Sequence, residues 1–443
     1  GRKAPMVKSL LVPEAWSKRD AVMPPAHQAF YAYCNAVMEP WDGPAALAIF
    51  DGRWAVAGLD RNGLRPMRYA LTESGILAVG SEAGMCPLEG DPILKKGRIN
   101  PGGMIAVDTK TGQFFDHREI VDQLAKQSPY EEWLENVVEL EGRIGPGPEP
   151  RLSGSRNELI KRQTAAGFTM EDLELILSPM AEEGKEAIGS MGDDAPLAVL
   201  STQYRPLSHF FRQNFSQVTN PPIDPLREAR VMSLKTRFKN LGNILAEDET
   251  QTNVFVLESP VLTTGMYERM RDILGVSVTE IDCTFAVEDT QTLDEGTVLY
   301  RAIQRIHREA EDAVRAGREQ IVLTDQHQNQ DRAALPMILA AGAVHTHLVK
   351  QGLRTFCSLT VRSAECLDTH YFAVLVGVGA TCVNAYLAQD CIADRHERGL
   401  IEGLTLGQAV KRYKEAIEAG LLKILSKMGI SVISSYRGGY NFE

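Results

Sequence analysis

The 443-residue sequence is short of the features that mark several large classes of protein. No apolar run is long enough to cross a bilayer; the best candidate, YFAVLVGVGATCVNAYLA, is broken by glycines and polar residues and reads as a buried segment. No signal peptide opens the chain. Its 7 cysteines form no dense framework, which points to free thiols in a reducing, cytoplasmic compartment. Positive charge is scarce: 47 Lys and Arg against 58 Asp and Glu leave a net charge of -11, which argues against a nucleic-acid or anionic-membrane surface. There is no P-loop, no HExxH, no Ser-His-Asp order and no internal repeat.

What remains is ordinary in bulk and informative in pattern. A hydrophobic content of 44% and a charged content of 24% suit a soluble globular protein of two or three domains. From Pro44 to Val107 the short runs AALAIF, WAVAGLD, MRYALT and ILAVGS alternate with Asp51-Gly52, Asn62-Gly63 and Ser74-Gly75. MIAVD and QFFD follow, joined through Thr111-Gly112. These are hairpin signals and predict an antiparallel meander. HREIVDQLAKQ and PYEEWLENVVELEG then read as helices, the second capped by Ser128. The stretch from Ile144 to Glu158, IGPGPEPRLSGSRNE, is rich in Gly, Pro and Ser and marks a domain boundary.

Beyond it, NVFVLES, TEIDCTF, EQIVLTD, LRTFCSLTV and GISVISS alternate with long helical patterns, which implies parallel βαβ units and an α/β domain. RPLSHFFRQNFSQV carries apolar residues at helical spacing and predicts a helix to about Val218. Asn220 and Pro221, each before a proline, are driven out of the α region, and Asp224 with Pro225 starts a further helix through LREARVMSLKTRF. FSQVTNPPIDPLRE is thus a stiff connector, or simply a helix break.

Three groups of residues carry candidate chemistry. LDRNGLRPMRY places Arg61, Arg65 and Arg68 on an Asn-Gly turn, where they bind a carboxylate or merely pair with Asp60. GVGATC, Gly377 to Cys382, resembles a dinucleotide loop but has Cys382 where a third glycine belongs, and close helix-strand packing explains its glycines equally well. Cys357, Cys366, Cys382 and Cys391, with His345, His347 and His370, are spaced too widely for a zinc site and read as buried thiols and ordinary histidines.

Longer stretches carry a resemblance. MEPWDGPAALAIFDGRWAVAGLDRNGLRPMRY with SEAG is similar to the second half of a class II, N-terminal-nucleophile glutamine amidotransferase domain. MGDDAPLAVLS, FSQVTNPPIDPLRE, DTHYFAVLVGVGATCVNAYLAQ and KMGISVISSYRGG resemble the central domain of glutamate synthase large subunits, closest to the bacterial NADPH-dependent form. The resemblance implies an α+β amidotransferase portion with an antiparallel sheet over residues 1–143, a linker over 144–158, and an α/β central domain over 159–443. It implies an enzyme that splits glutamine with an N-terminal cysteine, passes ammonia internally, and adds it to 2-oxoglutarate. An imine is then reduced through FMN and iron-sulfur clusters with electrons from NADPH.

Gly1 stands where the family has its nucleophile, and Cys34 lies inside AFYAYCNAVMEP without a free α-amine. The chain is therefore expected to be a piece of something longer, with no catalytic residue, cofactor or metal site of its own. Its partners would be the rest of the large subunit and a small NADPH-oxidising subunit. By resemblance, Asp60, Arg61, Asn62, Gly63 and Arg65 support the glutaminase site, and Thr219 and Asn220 line the ammonia path. The competing expectation is a scaffold protein that kept the fold and lost the chemistry.

Overall fold

The computed structural model describes residues 1–14, 23–41, 43–145, 154–187, 205–214, 232–239, 242–243 and 245–443. Within these, the chain divides into two units, one formed by residues 1–138 and 242–254 and the other by 139–214, 232–239 and 255–443.

Seven strands build the first unit: β1 (Ala46–Phe50), β2 (Trp54–Leu59), β3 (Arg68–Thr72), β4 (Leu77–Gly80), β5 (Ile93–Arg98), β6 (Met104–Asp108) and β7 (Gln113–Phe115). Three of the expected turns close hairpins: Asp51-Gly52 between β1 and β2, Ser74-Gly75 between β3 and β4, and Thr111-Gly112 between β6 and β7. Asn62-Gly63 does not. There the chain leaves the antiparallel sheet ordered β1-β2-β6-β7 for a second one ordered β4-β3-β5, so the single meander is two sheets. No sequence signal predicts the strand β5, because ILKKGR is almost wholly exposed and carries no apolar alternation.

Period-2 alternation decides how these layers pack. On β2 and β6, Trp54, Val56, Met104 and Ala106 face a core shared with Phe30, Tyr31, Tyr33 and Cys34 of the helix Pro25–Val37 and Ile120, Val121 and Leu124 of the helix His117–Ala125. Ala57, Leu59 and Ile105 face the other way, into a cluster with Tyr69 of β3 and with Met67 and Ile99, which flank β3 and β5 of the second sheet. Asp116 begins His117–Ala125 with a full capping box. The second expected helix is shorter, Tyr130–Leu134, starts at Pro129 without a Ser128 cap, and gives way to a bridge in which the Leu140 N–H donates to the Val256 carbonyl.

The second unit contains a four-stranded parallel sheet in the order Val278–Asp282, Gln320–Thr324, Ser358–Arg362, Cys382–Asn384. The helices Glu295–Arg315, Met337–Lys350 and Thr369–Gly377 connect successive strands, and Tyr386–Glu397 and Leu406–Met428 follow. The central strand Gln320–Thr324 is buried along its whole length and carries the apolar run Ile321–Leu323, which makes it visible in the sequence, whereas the edge strand Val278–Asp282 is only partly buried. GVGATC runs from helix to strand, the reverse of a dinucleotide loop, and that reading is excluded. Its glycines serve packing: Gly379 has φ +118° and its missing side chain would strike the His345 ring.

Arg354 locks the same corner. Its guanidinium donates to His345 Nδ1 (3.0 Å), the Cys357 carbonyl (2.7 Å) and the Gly379 carbonyl (2.8 Å). Burial, then the charges of Arg354 and Arg437, press His345 down to about 4, so its ring stays neutral and accepts from Arg354.

Two expectations fail by tertiary override. Of the stretch that predicts a helix to about Val218, the described part, RPLSHFFRQN, forms a 3-10 turn, Leu207–Phe210. Arg212 and Glu443 then exchange N–H···O bonds, both 2.9 Å, and Phe211 packs edge-on to Phe442, so strand pairing with the C-terminal residues outweighs helical periodicity. GISVISS makes a single bridge, Val432 with Ser233, before the helical turn Ile433–Tyr436.

Gly379→Ala and Arg354→Lys are each expected to lower the free energy of unfolding by about 2 kcal/mol or more, the first from left-handed backbone strain and the second from the lost guanidinium fork. Urea midpoints report it; a midpoint equal to the parent's for either variant would show that this corner is dispensable.

Candidate functional site

The residues between β2 and β3 are organised by one carboxyl group. Asp60 is 3% exposed, and its side chain accepts the N–H groups of Asn62 (3.0 Å), Leu64 (3.0 Å to each oxygen), Arg65 (3.2 Å) and Ala45 (3.3 Å). Its carbonyl accepts from Gly63 (3.2 Å) and Gly102 (2.7 Å). Gly63 has φ +64°, and a Cβ there would lie 2.7 Å from Pro101 Cγ, so glycine is required twice over. What Asp60 holds is main chain rather than its neighbouring guanidiniums: Asn62 and Arg65 are exposed and Arg61 is half-buried. The five residues singled out in the sequence therefore form one turn, with Asp60 as its organiser and Asn62 and Arg65 at its surface.

Beneath the turn lies Lys8, a residue that sequence reasoning missed. It sits in the helix Ala4–Leu11 and is 1% exposed. Its Nζ donates to the Val12 carbonyl (2.8 Å) and to the Gly102 carbonyl. Burial pushes the ammonium down to about 7, with the negative charges of Glu14 and Asp60 pulling the other way. Glu14 is itself paired with His117 (3.1 Å), whose hydrogen bond holds the carboxyl below its ordinary range. The available signal was position: Lys8 interrupts the apolar run MVKSLLV.

Cys34 is fully buried within its helix, and its carbonyl accepts the Met38 N–H (3.2 Å). Burial pushes its thiol far above the ordinary range, so it is no nucleophile. Thr219 and Asn220 lie outside the described residues.

Cys357, Cys366, Cys382 and Cys391, like Cys283, are buried free thiols, each shifted upward by burial. The histidines are engaged elsewhere, His347 with Glu311 (2.7 Å) and His370 with the Ser208 carbonyl (2.9 Å). Among the described residues no group of three or more His, Cys, Asp and Glu side chains can hold a metal ion.

A second polar cluster occupies the carboxyl ends of the parallel strands, the edge where open α/β sheets bind ligands. Asp325 is fully buried and pushed up to about 7 by burial. It accepts from Tyr386 Oη (2.9 Å) and the Ala364 N–H (2.8 Å). The Arg362 guanidinium lies over the Tyr267 and Tyr386 rings, 4.9 and 5.0 Å from their centroids. Tyr267 donates to Glu280 at 2.5 Å. Each of these residues lies on a different element, so no contiguous motif exists to be read.

Comparison with known proteins follows the same two-part division. Residues 1–133 match the class-II glutamine amidotransferases, and residues 161–443 match the glutamate synthase central domain. The chain is 59% identical over 447 residues to the glutamate synthase [NADPH] large chain of Azospirillum brasilense, covering 100% of this chain and 29% of that protein. It is 38% identical to the corresponding chain of Bacillus subtilis (strain 168) over 445 residues, 100% of this chain and 28% of the relative. Chloroplastic ferredoxin-dependent glutamate synthase 2 of Arabidopsis thaliana is 39% identical over 451 residues, 98% of this chain and 27% of the relative. The chain thus spans less than a third of the length of these curated relatives. With a class-II glutamine amidotransferase region followed by a central domain, the chain belongs to the glutamate synthase family.

Proposed function

We propose that the chain is part of a glutamate synthase that makes L-glutamate from L-glutamine and 2-oxoglutarate. The observation that carries this is the end-to-end identity of 59% with an NADPH-type large chain. In this reading, residues 1–143 complete the glutaminase domain, 144–158 link it, and 159–443 form the central domain between the glutaminase and synthase sites. Ammonia released from glutamine passes across the central domain and is fixed on 2-oxoglutarate, and the imine is reduced by FMN.

The chain's own residues position and enclose; they do not react. Cys34 cannot serve as the N-terminal thiol, because its α-nitrogen is a peptide nitrogen and its thiol is buried. FMN, iron-sulfur clusters and NADPH belong to the parent enzyme, together with the remainder of the large subunit and a small NADPH-oxidising subunit, in the cytoplasm. The 60–65 turn supports the glutaminase site: a main chain clamped by one buried carboxyl is rigid enough to hold a neighbouring site in register. Thr219 and Asn220, stiffened by Pro221 and Pro222, line the ammonia route, where a small neutral nucleophile needs a narrow path with few charges.

In the full-length enzyme, Asp60→Ala is expected to cut glutamine-dependent glutamate synthesis by about tenfold or more while leaving the ammonia-dependent rate near the parent's. Equal loss of both rates, or of neither, would remove the turn from the glutaminase site. Thr219→Val tests the route separately. It is expected to release ammonia to solvent, so that glutamine is hydrolysed faster than 2-oxoglutarate is consumed; unchanged coupling would sink that assignment.

A further inference from the structure

Lys8 is tied to the turn through one intermediary, Gly102. Its Nζ donates to the carbonyl of Gly102, and the N–H of Gly102 donates to the carbonyl of Asp60 (2.7 Å). A second bond, to the Val12 carbonyl (2.8 Å), anchors the ammonium to the end of its own helix. On β2, just before the turn, Gly58 leaves the space that the lysine stem fills: a Cβ there would lie 2.6 Å from Lys8 Cε. An ammonium this deep costs several kcal/mol of hydration, and an apolar side chain of similar volume would pack there at lower cost. Stability alone does not account for a lysine at this position.

We propose that Lys8 is a positioning residue for the 60–65 turn, holding Gly102 against Asp60 and thereby fixing the main chain of Asn62 and Gly63 beside the glutaminase site. The proposal rests on the reading that this turn supports glutamine hydrolysis. Lys8 acts on the turn from below. Asp60 acts on it from within, and Gly102 is the peptide that both engage. A misplacement of about 1 Å in a supporting element is enough to cost about a hundredfold in turnover.

The test is a double-mutant cycle in the full-length enzyme, with steady-state glutamine hydrolysis as the readout. Lys8→Met is expected to lower kcat by about 10- to 100-fold with little change in KM, and to leave ammonia-dependent synthesis at the parent rate. Lys8→Met combined with Asp60→Asn is expected to lose no more than the worse single variant, because both act through one element. Ser9→Ala, which removes a buried hydroxyl bonded to the Pro5 carbonyl (3.0 Å) on the same helix, is expected to keep parent kinetics. If Lys8→Met folds poorly, Gly58→Ala displaces the lysine stem without removing it and is expected to give the same kcat loss. Parent-like kcat in the folded lysine variant, or additive losses in the cycle, would overturn the proposal. A silent Asp60→Asn would instead overturn the reading of the turn, and the two failures are told apart by that variant alone.

Lys8 also leaves a signature in stability. The groups that face it are Glu14, paired with His117, and Asp60. Burial makes the folded chain release this proton near pH 7, whereas the unfolded chain holds it to the ordinary value of 10.5. The unfolded state binds more protons between those limits, so Lys8's contribution to stability rises with pH across that window. The difference in denaturation midpoint between the parent and Lys8→Met is expected to change with pH between about 7 and 10.5; a difference independent of pH would show that the ammonium is not buried as described.

Discussion

A carboxyl group shut away from water has to be given donors by the protein, and at Asp60 the donors are backbone amides. Those of Asn62, Leu64 and Arg65 come from the turn itself, and that of Ala45 comes from the approach to β1. Gly102, just before β6, is drawn in through the Asp60 carbonyl. One residue thereby joins the two middle strands of one sheet to the segment that departs for the other. Much of the first unit's layering depends on it: Leu59 and Ile105 can share a cluster with Met67 and Ile99 only if the chain leaves β2 at this angle. Replacing the acid would take the acceptor from several backbone amides together, which is why its effect reaches beyond any one bond.

The sequence was most legible where local chemistry and tertiary environment agree. Asp-Gly, Ser-Gly and Thr-Gly at three hairpins supply the left-handed backbone their turns require, and the turns formed where expected. The central parallel strand Gln320–Thr324 could be read because burial on both faces demands a run of apolar residues, and Ile321–Leu323 is one. Asn62-Gly63 carries the same local signal as its neighbours and does something else, because Asp60 supplies a longer-range set of bonds that a two-residue hairpin could not satisfy. Leu207 to Phe211 failed for a related reason. Its spacing fits a helix, but the residues that decide its conformation, Asn441 to Glu443, lie at the far end of the chain.

The candidate site divides along the same line. Asp60, Arg61, Asn62, Gly63 and Arg65 lie within six consecutive residues, so the turn could be found as a motif, although its inner logic could not: arginines beside an aspartate suggest ion pairing, whereas among the described residues the carboxyl takes its hydrogen bonds from main-chain amides. Lys8 is invisible in this way. A lysine in a short helix reads as solvated, and only the bonds to Val12 and Gly102 and the notch at Gly58 reveal that it is enclosed. The cluster of Asp325, Arg362, Tyr267 and Tyr386 is assembled from several elements and has no linear signature.

Both units place ionic groups where apolar ones would pack more cheaply, and they do so in the same manner. Arg354 spends its donors on the carbonyls of Cys357 and Gly379 and on a neutral His345. Lys8 spends its donors on the carbonyls of Val12 and Gly102. In each case a charged side chain bonds to backbone carbonyls near a glycine that a side chain would crowd: Gly58 leaves room for the Lys8 stem, and Gly379 leaves room for the His345 ring that accepts from Arg354. Apolar packing is non-directional and tolerates sliding of about the width of a methyl group. Hydrogen bonds to fixed carbonyls do not. What such bonds offer a neighbouring site is main chain held in one place rather than free to slide.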